Sequence, residues 1–285
     1  MWITFAFGSA LFAGVTAVLA KIGIKNTDST VATAIRTIIV MIFSWLMVMI
    51  TGAYQDIDSI SGKTLLFLVL SGLATGESWL CYFKALQIGD VNKVTPIDKS
   101  STILTMLLAF LVLGEKLSTL KIICMLLIGI GTYLMITKKQ SDNETKGWSW
   151  LWYAVLSAVF ASMTSILGKI GISEIDSNLG TAIRTIVVLI MAWLMVFVTG
   201  KQREIKTIGK RNMLFICISG LTTGLSWLCY YKALQDGQAS VVVPIDKMSI
   251  LITIAFSYFV LKEKLTKKSL LGLVIMTMGT LMLVI

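Results

Sequence analysis

Eleven charged residues stand inside or at the ends of long apolar runs of this 285-residue chain, where a charge is costly and is by default a functional hypothesis. Basic groups in such places can bind carboxylates or phosphates, and acidic groups can bind cations or carry protons. The candidates for substrate binding or gating are Lys21, Arg36, Glu77, Lys84, Asp98, Lys99, Lys169, Arg184, Lys232, Asp246 and Lys247.

Glu77 is the candidate for proton coupling. It lies 12 residues after Leu65, which places it about 18 Å into a hydrocarbon core of about 30 Å. Burial away from water favours the protonated form of a carboxyl group, so Glu77 can carry a proton at neutral pH. The alternative is a structural ion pair with Lys84 or Arg36, because Lys84 follows seven residues later on roughly the same helix face.

The other candidates also have structural alternatives. The four helix-end lysines can extend their ammonium groups to water, and the two arginines can form ion pairs between helices. Asp98 follows Thr95 and Pro96 at a predicted helix start, where an acid can simply cap the helix. We expect interfacial anchoring, with an aromatic binding pocket as the alternative, for Trp79, Tyr82, Trp227, Tyr230 and Tyr231.

The composition predicts an all-α integral membrane protein. Apolar residues make up 56% of the chain, charged residues 14%, and the mean hydropathy is +0.86. No histidine is present and the four cysteines lie in apolar runs, so we expect no metal, cofactor, disulfide framework or catalytic centre. The net charge of +10 is spread over loops and single positions, which favours contact with the lipid bilayer and argues against binding of nucleic acid.

Ten spanning helices are predicted at 2–20, 30–50, 64–84, 94–113, 119–137, 149–168, 178–198, 211–232, 240–261 and 268–285.

The chain contains an internal repeat with a shift of 148 residues, which places Arg36 on Arg184. The segment 71–87 matches 219–235 at 14 of 17 positions. Because five helices per repeat is an odd number, the repeats are expected to enter the membrane in opposite directions, as in many secondary transporters. The predicted units are repeat 1 over 1–137, a linker over 138–148 and repeat 2 over 149–285.

These features resemble the EamA-type drug/metabolite transporter superfamily. The motifs are a lysine ending the first helix of each repeat, an arginine early in the second, Lys-Ala-Leu-Gln closing the third and Glu-Lys-Leu after the fourth. The chain is similar to a tandem fusion of small bacterial five-helix members. The resemblance implies a transporter of small organic metabolites and leaves the substrate open. It also implies location in the cell inner or plasma membrane.

The sequence predicts secondary-active transport by alternating access, driven by the substrate gradient, by exchange or by protons, because no ATP-binding motif is present. The inverted repeat is expected to place five of the candidates near one membrane face and their equivalents near the other, as two gates. The excess of basic residues favours an anionic or zwitterionic substrate. A lipid-linked-sugar flippase, a non-transporting membrane scaffold or sensor, and a homodimer remain open alternatives.

Basic residues in the connections predict the orientation. Fourteen lie in the loops between helices 1–2, 3–4, 5–6, 7–8 and 9–10, whereas the other side has only Lys63, Lys116 and Lys121. Since the positively charged side faces the cytoplasm, both termini are expected to lie outside it.

Thiol labelling tests this orientation. In a cysteine-free background, Asp58→Cys should react with a membrane-impermeant maleimide on intact cells, and Lys206→Cys should react only after permeabilisation. Labelling of position 206 from outside, with none at 58, would reverse the orientation.

Overall fold

A computed structural model describes residues 1–23, 27–88, 94, 97–135, 149–259 and 266–284. For Lys21, Phe83, 86–88 and 256–259 it describes the backbone alone. The described part of the chain is helical and contains no strand. This agrees with the bilayer constraint that every backbone polar group be satisfied within its own segment. The helices are α1 Trp2–Gly23, α2 Ser29–Thr51, α3 Gly62–Ile88, α4 Ser101–Leu113, α5 Thr119–Met135, α6 Ser149–Gly171, α7 Ser177–Val198, α8 Lys210–Asp236, α9 Ala239–Lys247, α10 Ser249–Phe259 and α11 Lys267–Leu281.

Six of the described helices are long and apolar enough to cross a membrane, namely α1, α2, α3, α6, α7 and α8, and α5 is a shorter apolar helix. The multi-pass character expected from the composition is therefore confirmed. The count of ten spans and the opposite orientation of the repeats stay predictions.

The ninth predicted segment, 240–261, differs from expectation because two helices share it. α9 ends at Lys247 and α10 begins at Ser249, with a tight turn in which the Met248 N–H donates to the Ile245 carbonyl at 2.9 Å. Pro244 lies inside α9 rather than at a helix start, and it lacks the N–H that a continuous helix would use. In repeat 1 the equivalent turn falls at Ser100, before α4. Each turn follows an Asp-Lys pair.

The two repeats use the same residues to start and end their second helices. Asp28 caps α2, and the equivalent Asp176 caps α7 through the N–H groups of the following turn. Gly52 and Gly200 then adopt left-handed backbone conformations, with φ of 74° and 69°, and lead into short 3-10 helices over Ala53–Ser59 and Lys201–Thr207.

Asp28 also links the repeats. Its Oδ1 accepts from the N–H of Thr30 at 2.8 Å, and its Oδ2 accepts from the ammonium group of Lys201. Burial raises the pKa of the Asp28 carboxyl, but the hydrogen bonds from Lys201, Val31 and Thr30 outweigh it and leave that pKa below its ordinary value. The link is therefore ionised at neutral pH, and its stabilisation is lost as the pH falls through the lowered pKa.

Packing between the repeats is reciprocal. α1 packs on α8, and in the equivalent contact α6 packs on α3. The second helices of the repeats, α2 and α7, contact each other. In addition, α2 contacts α8, and α7 contacts α3. Glycines permit this close approach: Gly72 lies against Val187 of α7, and its equivalent Gly220 lies against Ile39 of α2. α5 packs on α11 at the side of this arrangement.

The α5–α11 crossing brings backbone against backbone. A Cβ atom at Gly131 would lie 2.5 Å from the Met276 nitrogen and 2.6 Å from the Gly272 oxygen, so no side-chain rotation could relieve the overlap. Gly131→Ala should therefore destabilise the protein by about 1–3 kcal/mol, outweighing a gain in helix propensity of about 1 kcal/mol.

The measurement is the thermal unfolding midpoint in detergent. Gly62→Ala is the matched control, because a Cβ atom at Gly62 has no neighbour within 4 Å and should leave the midpoint unchanged or slightly raised. A Gly131→Ala midpoint equal to that of the control would contradict the contact.

Candidate functional site

A cavity lies between the two repeats, at the junction of α1, α2, α3, α6, α7, α8 and α9. It consists of two adjoining spaces of about 360 and 370 Å³, whose walls share Arg36, Ser78, Trp79, Ala161 and Lys247. We call these spaces together the central cavity. The volume suits a small metabolite, since ligand pockets typically measure about 300–1,000 Å³.

Six of the eleven candidate residues line the central cavity: Arg36, Asp98, Lys99, Arg184, Asp246 and Lys247. Each of these has its repeat equivalent in the same set. Four positive and two negative formal charges leave the wall with a net charge of +2 when all are ionised. The structure thus brings both arginines to one cavity, and their assignment to separate gates stays a prediction.

Other candidates lie elsewhere. The Lys169 ammonium group donates to the carbonyl oxygens of Leu234, at 2.8 Å, and of Gly237, and so closes the C-terminal end of α8. Lys232 is half-exposed and pairs with Asp236 one turn later. Lys84 is exposed and is not among the residues of the cavity wall. The Lys21 side chain lies outside the described residues.

Glu77 does not line the central cavity. It is partly exposed and shares a face of α3 with the exposed leucines Leu66, Leu70 and Leu73. Depth in the membrane can be counted along a sequence, but the direction of the side chain depends on which faces of α3 the helices α6 and α7 cover. Proton coupling through Glu77 stays a prediction.

Arg184 is the most enclosed charge on the wall, with 2% of its surface exposed. Its Nε donates to the Ser71 hydroxyl at 2.9 Å, and one terminal nitrogen, Nη2, donates to the Thr75 hydroxyl at 2.5 Å. The guanidinium carbon lies 5.0 Å from the Trp227 ring centre and 4.8 Å from that of Tyr231. The other terminal nitrogen, Nη1, has no hydrogen-bond partner among the described residues.

Arg36 stands in a different state. In the described part of the chain it has no hydrogen-bond or ion-pair partner. The equivalents of Ser71 and Thr75 are Ser219 and Thr223, which bond within α8 to the carbonyl oxygens of Ile216 and Ser219, at 2.8 and 2.7 Å, and accept from no arginine among the described residues. The equivalent of Tyr231 is Phe83. One arginine is thus held by the third helix of the opposite repeat, and the other is free to face the cavity.

Two serines, which the sequence did not indicate, hold the cavity acids. The Ser9 hydroxyl donates to Asp246 at 2.5 Å, and the equivalent Ser157 donates to Asp98 at 2.9 Å. Ser226 and its equivalent Ser78 then donate to the backbone carbonyls of those two serines, at 3.1 and 3.0 Å. The signal was available, because the shift of 148 residues aligns each serine with its equivalent.

These bonds change the interpretation of the acids. Asp246 lies near the C-terminal end of α9, so an acid capping a helix start does not describe repeat 2. The Thr95 and Pro96 part of the same prediction lies outside the described residues.

The aromatic residues also differ from expectation: Trp79, Tyr82, Trp227, Tyr230 and Tyr231 all line the central cavity rather than anchoring helix ends in the interface.

Hydrogen bonds join the two repeats at the start of α9, and we call these bonds the clamp. The Glu115 carboxylate accepts from the N–H groups of Ala239 and Ser240, at 2.6 and 3.1 Å, at the start of α9. Lys121 donates to Gln238 at 2.6 Å and to the Ser240 hydroxyl at 2.8 Å. The Glu-Lys-Leu motif, used above as a repeat marker, therefore supplies an N-terminal cap across the two halves. The equivalents of the Glu115, Ala239 and Ser240 positions are Glu263 and 91–92, which lie outside the described residues, and the equivalent of Lys121 is Ser269.

The model of the EamA-like transporter family matches this chain twice, over residues 1–137 and 148–285. The chain belongs to the EamA-like transporter family. This places it among membrane transporters.

An uncharacterised transporter from the cobO 3′ region of Sinorhizobium sp. is 40% identical over 137 residues, which are 48% of this chain and 97% of that protein. An uncharacterised protein of Methanocaldococcus jannaschii is 29% identical over 129 residues, which are 45% of this chain and 91% of that protein. Both relatives thus correspond in length to about half of this chain.

The fold has a counterpart among solved structures. One crystal structure superposes with a TM-score of 0.79 at 12% sequence identity, covering 98% of this chain and 95% of the other. At this identity the likeness concerns the fold alone.

The unequal arginine states give a paired prediction. Thr75→Val removes a hydroxyl that accepts from a buried guanidinium group, and should lower the free energy of unfolding by about 1–3 kcal/mol. Thr223→Val removes the equivalent hydroxyl, which contacts only its own helix, and should cost less than about 1 kcal/mol. Thermal unfolding midpoints of the two purified variants measure the difference. Equal midpoints would mean that the two arginines do not differ in solution.

Proposed function

We propose that this EamA-like protein is a secondary-active transporter that moves a small organic metabolite across the cell membrane by alternating access, with the central cavity as its substrate site. The observation that carries the proposal is the unequal state of two equivalent arginines. A chain with two matching sets of groups has two arrangements of similar energy, and such bistability is what a carrier requires.

The arrangement in the structure holds Arg184 on Ser71 and Thr75 and leaves Arg36 free. In the proposed second arrangement, Arg36 engages Ser219 and Thr223, and Arg184 is released. The hydrogen bonds lost in one repeat are regained in the other, so the exchange needs no large net energy. A substrate that contacts the free arginine can bias this equilibrium.

The clamp is proposed as the closed gate of the present arrangement. Glu115 and Lys121 join repeat 1 to the start of α9 at one end, whereas the cavity extends to Thr33 near the start of α2 at the other. By the charge bias of the loops, the clamped end faces away from the cytoplasm. The cavity then communicates with the cytoplasmic side in this arrangement.

The energy source is proposed to be the substrate gradient, exchange or a proton gradient. Glu77 remains the candidate for proton coupling, through its carboxyl group at mid-membrane depth. Its position on the same face as exposed leucines requires that a proton reach it from the α3 surface rather than from the central cavity.

A lipid-linked-sugar flippase is the alternative that uses the same fold. Such an activity needs a path from the lipid to the central cavity. The apolar groove between α4 and α5, lined by residues including Ile103, Leu107 and Met125, shares no residue with the cavity wall. This separation favours a soluble metabolite over a lipid-linked one.

Cysteine accessibility tests the alternation. In a cysteine-free background, Ala239→Cys places a thiol at a fully buried clamp position, and Thr33→Cys places one on the cavity wall at the other end. Arg184→Gln should raise maleimide labelling at position 239 and lower it at 33, because the present arrangement loses its arginine contacts. Arg36→Gln should do the opposite, because the second arrangement is weakened.

Ser71→Ala/Thr75→Val and Ser219→Ala/Thr223→Val repeat the comparison without removing a charge. They keep the test decisive if Arg184→Gln fails to fold. If both pairs shift labelling in the same direction, or neither shifts it, the proposed exchange is wrong.

A further inference from the structure

The central cavity contains two unsatisfied guanidinium positions that the fold itself does not use. Nη1 of Arg184 is buried on the wall without a hydrogen-bond partner among the described residues. Arg36, on the wall of the same space, has no partner within the described part of the chain. Leaving the buried Nη1 donor of a charged guanidinium group unpaired is costly, so an acceptor is strongly favoured there. Arg36 is only partly buried, and its donors are open to an acceptor in the cavity.

The acids of the wall do not neutralise these groups. Asp246 and Asp98 are each engaged by a serine of the opposite repeat, and neither forms a salt bridge with an arginine among the described residues. Lys247 pairs with Asp246 at 4.0 Å, and Lys99 adds further positive charge to the wall. The cavity is therefore electropositive where its donors are free.

The rest of the wall is aromatic. Trp79, Trp227 and Tyr230 line the same space as the two arginines, and the rings of Trp227 and Tyr231 lie within 5.0 Å of the Arg184 guanidinium carbon. Flat apolar surface next to an anion site fits a molecule with one charged group and a compact apolar body.

We propose that the central cavity selects small organic anions, whose carboxylate or phosphate group is bound by Arg36 and by Nη1 of Arg184 and whose apolar body packs on the aromatic wall. This inference rests on the proposed function, for which it names the substrate class. The planar donors of arginine match two oxygen atoms of either group, and a lysine would not replace them.

Binding to the purified full-length chain in detergent tests the substrate class. Four probes share one phenyl ring and differ in charge: phenylacetate, phenyl phosphate, phenethylamine and 2-phenylethanol. Calorimetry should detect phenylacetate, phenyl phosphate or both, at least tenfold tighter than the cationic and neutral probes. The tighter of the two anions distinguishes a carboxylate substrate from a phosphate one.

Variants then locate the site. Arg36→Gln should weaken binding of the tighter anion about tenfold or more, with an unchanged unfolding midpoint, because Arg36 has no internal partner to lose. Arg36→Lys should recover only part of the affinity, since it keeps the charge without the planar donor pair. Arg203→Gln is the matched control, because Arg203 is exposed on the 3-10 helix Lys201–Thr207 and is not part of the cavity wall, and this variant should bind the anion like the parent chain.

Two results would overturn the inference: tighter binding of phenethylamine than of both anions, or anion binding that Arg36→Gln leaves unchanged. Binding in detergent does not require the protein to alternate. If the chain binds the anion but fails the cysteine test, the proposed transport is refuted and the anion site stands. If the chain alternates but binds neither anion, the substrate class is refuted and the proposed transport stands.

Discussion

A guanidinium group enclosed in an apolar helix bundle is the constraint on which the rest of the site depends. Arg184 cannot lose its charge, so its donors need acceptors and its faces need polarisable neighbours. Ser71 and Thr75 supply the acceptors, and the rings of Trp227 and Tyr231 supply the faces. These contacts require α3 to approach α7 closely, which the small residues Gly72 and Gly76 permit. Packing and chemistry therefore follow from one buried cation.

Neither repeat satisfies its polar groups alone. Asp246 of repeat 2 takes its hydrogen bond from Ser9 of repeat 1, and Asp98 takes its own from Ser157 in return. The cap at the start of α9 likewise comes from Glu115. Since a buried polar group without a partner is costly, the two halves stabilise each other through reciprocal contacts, and an isolated half would need a second copy to supply them.

The sequence predicted well what depends on position along the chain and less well what depends on direction around a helix. The apolar segments, the repeat and six of the cavity residues follow from hydropathy and from charge placed in apolar runs. The facing of Glu77, the capping role of Lys169 and the cavity position of the aromatic residues depend on which helices pack together. Ser9 and Ser157 were missed, although the repeat aligns them, because a serine in an apolar run does not indicate which acid it contacts. The turn at Met248 was missed because the apolar run continues across it from α9 into α10.

The clamp is not symmetric in composition, and this has a kinetic consequence. Lys121 joins Gln238 and Ser240 at the clamped end, but its repeat equivalent is Ser269, which has no ammonium group to offer. In the proposed alternation, the two resting arrangements would therefore differ in free energy. For a carrier of the proposed kind, the half-saturation concentration would be higher on the side served by the rarer arrangement, because substrate must first draw the protein into it. Detailed balance then requires a correspondingly higher maximal flux from that side. A single lysine can thus adjust the concentration range over which each face of the membrane is served, without favouring net movement in either direction.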